Sequence, residues 1–172
     1  FGQYLDASIP LYCEEPVEQQ IRRAFHYAFS PSAPHSHRGA IPRLHFQRIG
    51  TEPFSLLGTS ITPIRLNHGR LPILGFRFDN VAYCTDVSEI PESSYKLLEG
   101  LDVLIIDALR DKPHPTHFSI DQSLEVVARL QPRQAFFTHI SHSLDHETTN
   151  ARLPDHVELA WDGLRIPLES ES

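Results

Sequence analysis

A mixed α/β fold, one sheet with helices packed on it, is predicted by three observations on this sequence. The short, wholly apolar run Val103 to Ile106, and Ala135 to Thr138 after it, have the character of strands buried on both faces. Upstream of them lie strand-like segments broken by a tight polar turn, the mark of antiparallel pairing. Between the buried runs falls a helical pattern with its own capping signal. Antiparallel strands first and strand–helix–strand units afterwards give α/β or α+β layering.

Taken in order, Pro16 to Phe29 predicts the first helix, because Val17, Ile21, Ala24, Phe25 and Ala28 recur three and four residues apart and Pro16 suits a first turn. Ser30-Pro31 ends it, and Ser32 to Pro42 is a Pro/His/Ser/Gly loop without periodicity. Strands are predicted at Leu44 to Ile49, Ser60 to Leu66, Gly75 to Phe78 and Val81 to Cys84, the last two joined by Asp79-Asn80. A helix over Pro91 to Leu98 is ended by Gly100. Ser119, with Gln122 three residues on, forms a capping box for a helix whose core face reads as Leu124, Val127 and Ala128, with Leu130 near the end. Pro132 separates it from Ala135 to Thr138. A short helix around Glu147 to Leu153 leads to a final hairpin, Val157 to Trp161 and Leu164 to Leu168, turning at Asp162-Gly163.

The chain has 172 residues, 40% of them hydrophobic, which matches one soluble domain and excludes collagen, coiled coil and disordered tail. No run of about 18 apolar residues exists, so no membrane span is expected. The formal charge of −7, without a Lys/Arg cluster, argues against long nucleic acid as partner, since that grip rests on cationic side chains. Cys13 and Cys84 are too few for a disulfide framework, and a reducing cytoplasm is the expected location. Eleven histidines raise the expectation of a metal or acid–base site.

The chemistry-bearing residues fall at strand ends. The segment ending at Leu66 runs into Asn67-His68-Gly69, that ending at Cys84 into Thr85-Asp86, that ending at Ile106 into Asp107, and that ending at Thr138 into His139. Strand ends hold side chains rigidly while the adjoining loops give access. A carboxylate can bridge two cations where an imidazole does so poorly, which makes Asp86 the bridging candidate and His68 and His139 terminal ligands. His114 and His117 lie just before the capped helix, where an imidazole can meet a negatively charged group. One histidine at a strand end is ordinarily a hydrogen-bonded surface residue; joint occurrence at consecutive ends singles out His68, Asp86 and His139. Asp107 reads equally as a supporting or capping group. His35-Ser36-His37 lies in a Pro-rich loop with no strand to hold it, His26 and His45 read as partly buried structural residues, and His156 as surface.

The order Asn67-His68-Gly69, Tyr83-Cys84-Thr85-Asp86-Val87, Leu104-Ile105-Ile106-Asp107, Thr116-His117-Phe118 and Thr138-His139-Ile140-Ser141-His142 resembles the metallo-β-lactamase-fold hydrolases, and among them the phosphodiesterase branch, as does the Trp161-Asp162-Gly163 turn. The resemblance implies an αβ/βα sandwich with a dinuclear centre of two divalent ions, zinc or manganese, with iron or nickel also compatible. It implies metal ligation by His68, Asp86 (bridging) and His139, contact of His117 with the scissile phosphate, and a supporting or substrate-side place for His142. The implied activity is hydrolysis of a small, for instance cyclic, phosphodiester by a metal-activated hydroxide. The family's His-x-His-x-Asp-His motif is not among these residues, and Phe1 to Tyr12 resembles the stretch that follows it. The chain therefore reads as the C-terminal two-thirds of a hydrolase, lacking its N-terminal portion, and by itself as a weak metal binder without activity.

Two rivals stand beside this reading. One keeps the scaffold and changes the substrate to a thioester, lactone, β-lactam or tRNA precursor. The other is a metal-free, inactive interaction domain. A homodimer is left open.

Overall fold

The computed structural model describes residues 8–29 and 43–168. These divide into two compact units, residues 1–52 and 53–172. In the first, β1 (Ile9–Cys13) pairs in parallel with β2 (Leu44–Arg48). Between them in sequence lie α1 (Glu15–Ala24) and the single turn α2 (His26–Phe29). The continuous helix expected over 16–29 is broken at Phe25, whose backbone leaves the helical region at φ −116°, ψ 41°. Its inward face also differs from the expected apolar stripe. Glu18 is the buried position of α1, while Val17 and Phe25 are about half exposed. The burial is tolerated because Arg22 and Arg48 each donate to one Glu18 carboxylate oxygen at 2.7 Å. His26 and His45 are exposed rather than partly buried; His45 bonds Ser8 Oγ at 2.9 Å. The 32–42 loop with His35 and His37 lies outside the described residues.

The second unit is a seven-stranded sheet in the order β3-β4-β5-β6-β7-β8-β9. Strands β3 (Phe54–Leu56), β4 (Thr59–His68), β5 (Leu71–Phe78) and β6 (Val81–Cys84) are antiparallel neighbours. Strands β7 (Val103–Asp107), β8 (Gln134–Thr138) and β9 (Val157–Leu159) continue in parallel from β6. The change at β6 follows from connection length: Asp79-Asn80 is short enough for a hairpin, whereas later strands return through helical crossovers. Those crossovers are α3 (Glu92–Tyr95), extended by a 3-10 turn to Leu98, then α4 (Ile120–Leu130) and α5 (His146–Asn150).

Alternation along the strands sorts side chains to two faces. Ile64, Leu66, Ala82, Cys84, Leu104, Ile106, Ala135, Phe137, Val157 and Leu159 form the main core with Ile120, Val126 and Val127 of α4. Burying a Val, Leu, Ile or Phe side chain fully is worth about 1.5–3 kcal/mol each, which makes this layer the main anchor of the strand ends. The capping box stands as expected: Ser119 Oγ accepts from the Gln122 N–H and the Gln122 side chain from the Ser119 N–H. Leu124, Val127 and Leu130 face the core as expected, and two positions differ. Ala128 is exposed, and Ser123 is fully buried among the apolar residues because its hydroxyl donates to the Asp107 carbonyl.

The final hairpin is not formed. β9 lies parallel to β8 because the chain reaches it through α5 rather than by a turn. The turn at Asp162-Gly163 is present, with Gly163 at φ +86° and the Leu164 N–H on the Trp161 carbonyl. Residues 164–168 pair with no strand; Leu164 and Ile166 instead cover Val81, Val103 and Phe136 on the second face. No helix among the described residues is long and apolar enough to cross a membrane.

Candidate metal centre

The ends of β4, β6, β7 and β8 converge at one edge of the sheet. His68 closes β4, Asp86 follows β6, Asp107 closes β7 and His139 follows β8. At three of these exits the backbone turns through the left-handed region: Gly69 at φ +61°, Asp86 at +57° and His139 at +58°. For glycine this costs nothing, but for Asp and His it costs roughly 1–2 kcal/mol each. Strain held at two strand ends on either side of β7 points to a use for those side chains.

The loop from β7 to α4 supplies His117, which lies at the centre. Its Nδ1 donates to Asp107 Oδ2 at 2.8 Å. A carboxylate only accepts here, so Nδ1 carries the proton and Nε2 is left for the site. The ring stacks on His139 at 4.5 Å and 24° and meets His68 edge-on at 4.7 Å. Asp86 completes the group, with Oδ1 3.5 Å from His139 Nε2. His68, Asp86 and His117 each offer a ligand atom within 4.8 Å of one another, and so do Asp107, His117 and His139.

Asp107 is fully buried. Burial holds its pKa above the ordinary carboxylate value, and the His117 hydrogen bond and the nearby His139 offset part of that rise. Oδ2 accepts a second bond from the Val87 N–H at 3.1 Å, which ties the β6 exit to the β7 end. Two polar atoms at the site, His68 Nδ1 and Asp107 Oδ1, are buried without a hydrogen-bond partner. Buried polar groups are nearly always satisfied, so orphaned donors and acceptors beside three imidazoles and two carboxylates suit a divalent cation. The residues present fit the metal that the sequence implies.

The structure thus brings together His68, Asp86, His139, His117 and Asp107. His114 lies alongside, its ring 5.2 Å from His117 and its Nδ1 3.2 Å from Thr116 Oγ1. His142 is exposed on the loop after β8, and His156 is likewise exposed. Two supporting residues escape a sequence reading. Ser88 Oγ accepts the Gly69 N–H at 2.8 Å and donates to the Asn67 carbonyl at 3.2 Å, fixing the turn after His68. Ser123 holds the Asp107 backbone. A serine on the apolar stripe of α4 is the only signal for the latter, and Ser88 carries none.

Comparison with known proteins gives the class. Residues 3–140 match the model of the beta-lactamase superfamily domain, and the chain belongs to that hydrolytic family. It is similar to a diphosphatase from the PhnP family, at 40% identity and TM-score 0.82 over 92% of this chain and 57% of that one. The Zn(2+)-bound PqqB from Methylobacterium extorquens shares the fold at 15% identity and TM-score 0.70, over 94% of this chain and 65% of that one. A protein of Porphyromonas gingivalis (strain ATCC BAA-308 / W83) named octanoyltransferase is 29% identical over 166 residues, 95% of this chain and 33% of that protein. The chain therefore spans little more than half of the diphosphatase and a third of the octanoyltransferase.

Proposed function

We propose that the chain carries the greater part of the active site of a metal-dependent phosphodiesterase acting on a small phosphodiester or phosphoanhydride. The observation that carries this reading is His117, held by a buried carboxylate between His68 and His139 at the centre of a His/Asp cluster. The name of the PhnP-family relative, a diphosphatase, supports phosphorus as the electrophile.

His68, Asp86 and His139 would hold the ions, Asp86 between them. Divalent ions bound there would supply a water acidic enough to act near neutral pH and would offset charge on the phosphoryl oxygens. Asp107 orients His117 through Nδ1. Nε2 then faces the substrate, where a doubly protonated ring would donate its Nε2–H to a non-bridging oxygen or pass that proton to the departing alkoxide. The strained exits at Asp86 and His139 set these ligands before substrate arrives.

Acyl transfer, suggested by the octanoyltransferase name, finds less support. A thiol route needs an accessible thiolate; burial pushes the fully enclosed Cys84 up to about 12, and burial together with the Glu18 charge pushes the Cys13 thiol up as well. The test is turnover of bis(p-nitrophenyl) phosphate by the manganese- or zinc-loaded protein against an ester and thioester panel. His117→Ala should keep its metal and lower kcat, whereas Asp86→Ala should lose metal. Unchanged metal content in the Asp86 variant would remove the bridging assignment.

A further inference from the structure

His68 and Asp86 are delivered by strands that are not neighbours. β5 lies between β4 and β6, so no ladder hydrogen bond joins the two strands directly. β5 pairs with β4 as far as Leu71 opposite His68, but with β6 only over residues 76–78. Past Cys84 the chain leaves this ladder, and the segment after Asp86 crosses to β4, where Asn67 and Glu89 form an isolated antiparallel bridge.

That crossing is a clasp on both sides of His68. Before it, the Asn67 N–H donates to the Glu89 carbonyl at 3.0 Å, and the Asn67 carbonyl accepts from the N–H groups of Ser88 at 2.8 Å and Glu89 at 3.3 Å. The Asn67 side-chain amide donates to Glu89 Oε2 at 2.9 Å. After it, Ser88 Oγ accepts the Gly69 N–H at 2.8 Å while donating to the Asn67 carbonyl at 3.2 Å. One hydroxyl, able to donate and accept at once, therefore brackets His68. Gly69, at φ +61°, has no side chain with which to hold this turn itself.

The Asp86 loop is pinned on its other side as well. The Val87 N–H donates to Asp107 Oδ2 at 3.1 Å, and the Val87 carbonyl accepts the Phe118 N–H at 2.8 Å. Val87 is thus fixed to β7 and to the loop that carries His117, and Ser88 carries that frame across to His68.

We propose that Ser88 is a positioning residue that sets the spacing of the cation ligands His68 and Asp86, by holding the backbone on both sides of His68 to the loop that carries Asp86. This role rests on the metal-dependent reading and deepens it: the hydroxyl acts through the backbone of Asn67 and Gly69, not as a ligand.

The test is zinc titration by calorimetry on metal-free full-length protein, paired with urea denaturation of the same metal-free variants. Ser88→Ala should bind zinc about tenfold more weakly, the low end of the usual cost of removing a support behind a ligand. Ser88→Thr keeps the hydroxyl and should recover most of that loss. Ser94→Ala is the control, since Ser94 Oγ donates to the Arg65 carbonyl at 2.7 Å, a bond to the same strand upstream of His68. It should lower the urea midpoint and leave zinc affinity as in the parent. Unchanged affinity in Ser88→Ala, equal weakening in Ser94→Ala, or no recovery in Ser88→Thr overturns the proposal. Should the parent itself bind no zinc, the metal-dependent reading fails by itself, and NMR on the metal-free protein decides Ser88. Ser88→Ala should then shift the His68 ring signals and the Asp86 amide together. A variant that leaves either signal in place refutes the assignment.

Discussion

Asp107 Oδ2 accepts the Nδ1 proton of His117 at 2.8 Å while also accepting the Val87 N–H at 3.1 Å. One buried carboxylate thereby fixes the ring that faces substrate and the backbone that delivers Asp86. Asp107→Asn keeps the shape but offers one acceptor oxygen in place of two. It should lower kcat about 10–100-fold, the usual cost of losing such a support, with a smaller change in KM. It should also shift the pH–kcat profile, which a purely structural loss would not do. Steady-state kinetics across pH check this; an unaltered profile would place Asp107 in the framework alone.

Asp86 sits at φ +57°, a backbone setting that favours glycine. In metal-free protein the charge and ligand role can be removed in two ways that differ only in backbone. Asp86→Ala retains the left-handed penalty of roughly 1–2 kcal/mol, while Asp86→Gly sheds it and returns about 0.5–1 kcal/mol as unfolded-chain entropy. The glycine variant should thus be the more stable of the two by about 0.5–1 kcal/mol in urea denaturation. Neither should retain tight metal binding.

Gly69 at φ +61° follows His68, and a Cβ added there would stand 3.0 Å from Thr116 Cγ2. The glycine lets the β4 exit approach the loop that carries His117. Gly69→Ala meets both an unfavourable φ and a crowded neighbour, so the two loops must part slightly. We expect a loss of about 1–2 kcal/mol in stability from the backbone setting, together with weakened metal binding. Denaturation and metal titration of the variant measure both, and unchanged metal affinity would show that the approach of the loops is not needed.

Glu18 is held below the ordinary carboxylate range chiefly by its hydrogen bonds from Arg48 and Arg22. A carboxylate whose folded pKa is depressed contributes stability above its unfolded pKa, near 4.3, and loses it as pH falls toward the folded value. Glu18→Gln should therefore be less stable than the parent at pH 7, with the gap narrowing as pH drops below about 4.3. Urea midpoints of both proteins at pH 7 and pH 4 give the comparison. A gap independent of pH would mean that packing, not charge, fixes Glu18.

Much of the sheet was legible in the residues. The VLII run of β7 and the apolar β8 could only be buried strands, and the Asp79-Asn80 break could only be a short connection. The Ser119 box fixed the start of α4. These are local signals, written within a few residues. The strand-end placement of His68, Asp86, Asp107 and His139 was equally readable, because alternation and apolar runs show where a strand stops.

What stayed hidden depends on partners distant along the chain. A buried Glu18 is intelligible only once Arg48, thirty residues on, is seen beside it. The false hairpin after β9 arose because a turn at Asp162-Gly163 does not reveal whether the following segment meets a ladder edge or an apolar face. Which side chains stand at strand ends, and the kind of chemistry they can do, follow from the order of residues alone. The three-dimensional packing shows that Asp107 holds His117 and that two ligand positions carry backbone strain. Hydrogen bonds and strain belong to three-dimensional distances, and no spacing along the chain encodes those distances directly.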